Sequence, residues 1–154
     1  MNILDVQQYL ADTFLPGIAI TDPVAATIVR AYKTLPDAGR ALTDLPCAMM
    51  PGHELQETNF KPAWIEQKFA SHLQVFVKQS EVEQGLAAQM AAAFQNAIAL
   101  KLSDTQRLGA TASLVRGFRG GPETLARLEW AGDSFTGLDL FIDITLITSK
   151  EHSA

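Results

Sequence analysis

Hydrophobic and polar residues alternate with two different periods along this chain, and each change of period marks an element. From Leu138 the even positions read Leu138, Leu140, Ile142, Ile144 and Leu146, and the odd ones read Asp139, Phe141, Asp143, Thr145 and Ile147. A period of two puts these sets on opposite faces of a strand. The even face is a core face. The odd face mixes carboxylates with apolar and aromatic side chains, as a surface does when it meets another protein. Trp64 to Lys78 alternates in the same way, with Ile65, Phe69, Leu73, Val75 and Val77 on one side and Glu66, Lys68, His72, Gln74 and Lys78 on the other. That pattern predicts a second long, half-buried strand, kinked near Ala70-Ser71.

A helical period governs other stretches. Ile3, Val6, Leu10 and Phe14 predict a helix over about residues 2–15, stopped by Pro16-Gly17. "TDPVAATIVRAYKTLP" predicts a second helix, with Thr21 or Asp22 as N-cap, Pro23 at the first helical position and Pro36 as the stop. Ser80 followed by Glu83 forms a capping box for the longest helix, about 81–102, whose inward stripe is Val82, Leu86, Met90, Ala93 and Ala97.

Residues 36–63 break both periods and are expected as a long irregular loop. Only "ALTDLPCAMM" could hold a strand there, and Pro46 assigns that strand to an edge. Loops of this length in compact domains are usually functional or ordered by a partner. Two shorter strands, "ATASLVRGF" and "ETLARLEWA", are separated by "RGGP", and Ala131–Ser134 leads into the final strand. Keeping both apolar sets of that last pair on one side requires an odd-length connection, so a three-residue loop with a bulge is expected. The order α-α-(β)-β-α-β-β-β describes an α+β domain spanning 1–154. Its sheet is mainly antiparallel, with about four to five strands, and helices cover one face. Leu140, Ile142 and Ile144 are expected against the 81–102 helix.

Composition narrows the function classes. The 154 residues fit one domain, and 47% hydrophobic against 19% charged residues is an ordinary globular balance. A single cysteine, Cys47, excludes an internal disulfide and reads as a small buried apolar residue rather than a nucleophile. A formal net charge of −5 argues against a dedicated nucleic-acid binder, though not against a protein that nucleic acid merely passes. The N-terminus lacks the basic region of a signal peptide, and no apolar run reaches the ~20 residues needed to cross a bilayer. The expectation is a soluble chain made in the cytoplasm, with no membrane partner.

Catalytic templates find little to hold. "GHE" at 52–54 has no second histidine four residues on, and His53, His72 and His152 fall on loop, strand and tail. Asp139 and Asp143 lie about 13 Å apart along their strand, too far for a carboxylate pair. No catalytic residue, cofactor or metal is expected. "RGFRGGP", 116–122, has two arginines, three glycines and Phe118 but lacks the Gly-Lys-Ser/Thr of a phosphate loop. Its plainest expectation is a mobile hairpin loop; arginine and aromatics are also enriched where subunits meet. The candidate interface joins residues poorly placed in plain solvent, Met49, Met50, Phe60, Arg116, Phe118 and Arg119, to the mixed face of the last strand, Asp139, Phe141 and Asp143.

The stretch "LGATASLVRGFRGGPETLARLEWAGDSFTGLDLFIDITLIT" resembles the end of tail terminator proteins of long-tailed, siphovirus-like bacteriophages. Those proteins often finish with a leu-x-tyr-x-gly-x-x-tyr-x-gly hairpin and an amphipathic last strand. Leu128, Trp130, Gly132, Phe135 and Gly137 stand at these positions here, with Trp130 and Phe135 in place of the tyrosines. The resemblance implies a small α+β subunit of a hexameric ring at the tail–neck junction of the virion. Such a ring caps the tail tube, meets a neck or head completion protein, and lets DNA pass without specific binding. No catalytic residues come with it. Other head–tail joining proteins are close alternatives. An alternative of a different class is a small ligand-binding or enzymatic α+β domain with its pocket under residues 36–63.

Overall fold

Two long antiparallel strands form the spine of the molecule. The computed structural model describes residues 2–32, 42, 44–79, 84–104 and 112–150, with backbone alone for 79, 84 and 112–125. Helix α1 (Ile3–Tyr9) is capped by Asn2, whose Oδ1 accepts from the Asp5 amide at 3.0 Å while the Asn2 amide donates to the Asp5 carboxylate at 2.7 Å. The reciprocal pair satisfies two donors that the first turn leaves open. A π-helical turn, Leu10–Phe14, continues it, and Gly17 (φ 86°) leaves the helix in the left-handed region. The remaining elements are β1 (Ala19–Ile20), β2 (Ala26–Thr27), β3 (Arg30–Tyr32), β4 (Cys47–Met49), β5 (His53–Phe60), β6 (Trp64–Gln79), α2 (Gln84–Asp104), β7 (Ala112–Trp130) and β8 (Asp133–Ser149).

β6 and β8 pair antiparallel from Trp64↔Ser149 to Gln79↔Phe135. β7 pairs with the far edge of β8. Along the near edge of β6, β4 takes Gln74–Phe76 and β5 takes Ile65–Ser71, so the two short strands lie end to end. β3 adds a parallel strand outside β4, and β1 with β2 forms a separate two-stranded ribbon. The antiparallel-rich α+β class is as expected, but the described residues hold more strands than the four or five anticipated.

The even face of β8 carries the main core. Leu138, Leu140, Ile142, Ile144 and Leu146 are buried there with Leu73, Val75 and Val77 of β6. α1 and α2 close this face; Phe94, Ile98 and Leu102 of α2 are fully buried in the same cluster. Lys101 holds the end of α2 to the π-helical turn, donating to the Phe14 carbonyl and standing 5.0 Å above its ring. The inward stripe of α2 runs through Ala87, Met90, Ala91, Phe94 and Ile98, and Leu86, Ala93 and Ala97 flank it half-buried. Met90 lies on the stripe as expected, and Leu86, Ala93 and Ala97 lie one position from its centre. The expected Ser80–Glu83 capping box and Val82 lie outside the described residues.

Four expectations give way. Where the 21–36 helix was expected, the described residues 21–32 hold β2 and β3: the β-branched run Thr27-Ile28-Val29 favours extended backbone. Ile28 is buried with its amide donating to Ile18 (2.8 Å), and the Val29 amide donates to Pro46 (3.0 Å). The 36–63 stretch contains β4 and all of β5, because the edge of β6 offers a long row of backbone partners. As part of that same change, β4 is flanked by β3 and β6 rather than lying at an edge, with Pro46 just before the strand and outside its ladder. "RGGP" is not a hairpin between two strands: β7 runs unbroken along β8 and absorbs extra residues in two irregularities, between Leu114 and Phe118 and between Gly120 and Leu125.

The fourth concerns the last turn. Trp130 pairs with Asp133, leaving a two-residue Ala131-Gly132 turn with φ of 52° and 85°. Two successive positive φ values match the type I′ geometry that follows the twist of a hairpin. Leu128 therefore pairs with Phe135 and joins the odd face of β8, not the even one. That face is not simply wet. Cys47, Met49, Phe76, Leu128 and Phe135 make a second buried cluster there, with Trp130 packed against it.

Candidate interaction surface

Beyond the second cluster, the odd face of β8 turns polar in a particular way. His72 lies opposite Phe141 and diagonal to Asp139 across the β6–β8 ladder. Its ring stacks on Phe141 with centroids 4.8 Å apart, and its Nε2 bonds the Asp139 carboxylate. Cross-strand neighbours at these positions are within reach of aromatic and charged side chains. All three residues are half-buried. Asp143 follows on the same face at the level of Ala70, also half-buried. A shallow groove of about 260 Å³ opens beside them, lined by Gly52, His53, Glu54, His72 and Phe141 among others. Among the described residues no group of three or more metal-ligating side chains converges.

The hairpin of β5 and β6 is the second feature of this end. β5 is exposed along most of its length; Phe60 is 75% exposed, Leu55 48% and Trp64 40%. Facing residues of a ladder share a face, so Leu55 opposite Phe69 and Phe60 opposite Ile65 continue the core side of the sheet into solvent. Lys68 stands between Glu57 (3.5 Å) and Glu66 (3.9 Å) on the other side. These exposed pairs add little stability on their own.

The expected interface residues scatter. Met49 and Met50 are buried inside the chain, on opposite faces of the sheet, so they are core residues and not contact residues. Extended backbone at the end of β4 sends Met49 and the following Met50 into the two clusters, which resolves the poor fit of two methionines to solvent without a partner. Phe60 is exposed. Asp139 and Phe141 come together around His72. Arg116 lies in the first irregularity of β7, while Phe118 and Arg119 hold backbone register with Ile142 and Phe141. Their side chains lie outside the described residues. The sequence places His72 on the polar side of its strand, and only the register of β6 on β8 names its partners. Leu55 falls in the stretch whose sequence predicts a loop, and Trp64 opens the predicted 64–78 strand; local pattern identifies neither as an exposed apolar residue.

Cys47 behaves as a core atom. Burial, with a smaller push from Asp44 that Arg30 partly opposes, raises its thiol from the ordinary 9.0 to about 12. A larger groove of about 460 Å³ lies near residues 42–46, lined largely by apolar side chains including Val24, Leu42, Leu45, Val77 and Met90, with Lys78 at its edge. No protein-family model, curated protein or solved structure matches this chain.

Proposed function

We propose that the chain is a virion structural subunit, a tail terminator that forms a ring on the tail tube of a long-tailed bacteriophage. The exposed apolar side chains of the β5–β6 hairpin carry this reading. A strand rim bearing Leu55 and Phe60 in solvent is costly for a free monomer and useful to a subunit that buries it. The C-terminal hairpin of the resemblance is present, but its motif residues work for the fold: Gly132 in the turn, Phe135 and Trp130 in the second cluster. Support for the role therefore rests on the surface more than on the motif. In the ring, a hexamer in that family, the subunit sits at the tail–neck junction between tube protein and neck protein. Its net charge of −5 suits a passage that DNA slides through without binding.

Light scattering of the chain alone and with isolated tail tubes tests the reading. A ring, or a monomer that converts to a ring on tubes, is the expected result, and Phe60→Asp should abolish the assembly without lowering the melting temperature. A chain that stays monomeric in both conditions contradicts it. The groove near 42–46 favours a second reading, a monomeric domain that binds a small apolar ligand. Saturable binding of such a ligand by a stable monomer would support that alternative.

A further inference from the structure

At one end the sheet is four strands wide, and among the described residues both of its rims are unpaired. His53, Ser71, Ile142 and Phe118 share one level across β5, β6, β8 and β7. Leu55, Phe69, Ile144 and Leu114 share another. Among the described residues no strand lies outside β5 or outside this part of β7. Every step across these four strands is antiparallel, so β5 and β7 run in opposite directions. An even strand number has a consequence. If a second copy is placed beside the first in the same orientation, its β5 meets β7 antiparallel and the alternation continues unbroken.

We propose that copies of this chain join head to tail through these rims, the β5 edge of one copy adding to the β7 edge of the next. Charge separates this pairing from its rival. β5 carries Glu54 and Glu57 and no lysine or arginine, whereas residues 112–120 of β7 carry Arg116 and Arg119 and no acid. Two β5 rims brought together would oppose carboxylate to carboxylate, which is unfavourable for directly facing strands. The bulge between Leu55 and Glu57 further spoils a symmetric β5–β5 ladder. The apolar row through Phe69 and Ile144 ends at half-exposed Leu55, so the core face reaches the rim and can continue into a neighbour. Such a contact joins two different patches, and its repetition closes into a ring when the rotation per copy allows.

The proposal rests on the ring reading but fails separately from it. The Lys61 amide donates to the Trp64 carbonyl at 2.9 Å, and alternation along the ladder then turns the Thr58 amide toward the open rim. Thr58→Pro removes that donor from an edge strand, where proline is tolerated. The assembled parent, Thr58→Pro and Thr58→Val are compared by light scattering and by hydrogen exchange, with melting temperature as the check on folding. The expected result is a folded Thr58→Pro that has lost assembly, a Thr58→Val that assembles like the parent, and rim-facing β5 amides that exchange at least tenfold more slowly in the assembly than in the monomer. A ring that persists in Thr58→Pro, or whose rim amides exchange as fast as in the monomer, overturns edge pairing and leaves the ring reading standing. If Thr58→Pro unfolds, the exchange rates of the parent decide alone. A parent that never assembles, alone or on tubes, overturns both.

Discussion

Gly137 shows how a single residue sets the geometry of the spine. A Cβ built there would lie 1.9 Å from the Val75 carbonyl oxygen, so β6 and β8 approach as closely as they do only because no side chain intervenes. The irregularity between Phe76 and Lys78 lies directly opposite. Gly137→Ala forces backbone apart in a packed region and should cost about 2–3 kcal/mol, at the upper end of ordinary overpacking; urea melts that show less than half a kcal/mol would refute the close approach. Cys47 gives a residue-scale prediction with a sign. The folded thiol stays protonated up to about 12, while in the unfolded chain it ionises near 9.0. The unfolded state therefore releases its proton first, so this contribution is intact below about pH 9 and is lost as pH rises toward about 12. Between about pH 8 and about pH 11, stability should fall more steeply in the parent than in Cys47→Ala. Parallel curves would place the thiol in contact with water. Burial of Cys47 was legible from its apolar surroundings. The His72–Asp139 pair was not, because it depends on register between strands more than sixty residues apart in sequence.

At the scale of elements, what was readable depended on whether local pattern or tertiary pairing decided the outcome. The long strands over 64–78 and 135–148 have strong periods and form, with the irregularity of the first between Phe76 and Lys78 and not at the kink expected near Ala70-Ser71; the alanine-rich long helix forms as well. The 21–36 helix had reasonable caps but a β-branched centre, and partners at Ile18, Pro46 and β4 drew it into extended structure. Parity named the right core face of β8, yet it could not reveal that the other face holds a core too. That required the two-residue turn at Ala131-Gly132, which a strict preference for one apolar face had argued against. The helix-facing side can be tested directly. Ile142 is 1% exposed within the α2 cluster. Truncation to alanine should therefore cost about 2–5 kcal/mol through lost burial and the remaining cavity. A smaller loss than half a kcal/mol in denaturant melts would mean that α2 does not pack on this face.

The whole molecule has one well-filled side and one end left open. Helices close the even face of β8, the second cluster closes half of the odd face, and the β5–β6 hairpin leaves Leu55, Phe60 and Trp64 in solvent. The two clusters fill without these three positions, which the proposed ring would cover. Of the candidate site, Phe60 was legible as an apolar residue out of place, while Met49 and Met50 were misread because the strand that buries them was hidden among prolines. The central claim is that this chain is a ring-forming subunit at the end of a tail tube. Cryo-electron microscopy of tail particles assembled with the chain, imaged at the tube end, tests it most directly. The expected image is a closed ring of this subunit at the neck end, with the β5–β6 hairpins buried in contacts between copies or against the tube. Tails that end without it, or a ring in which Phe60 and Leu55 still face solvent, would contradict the account.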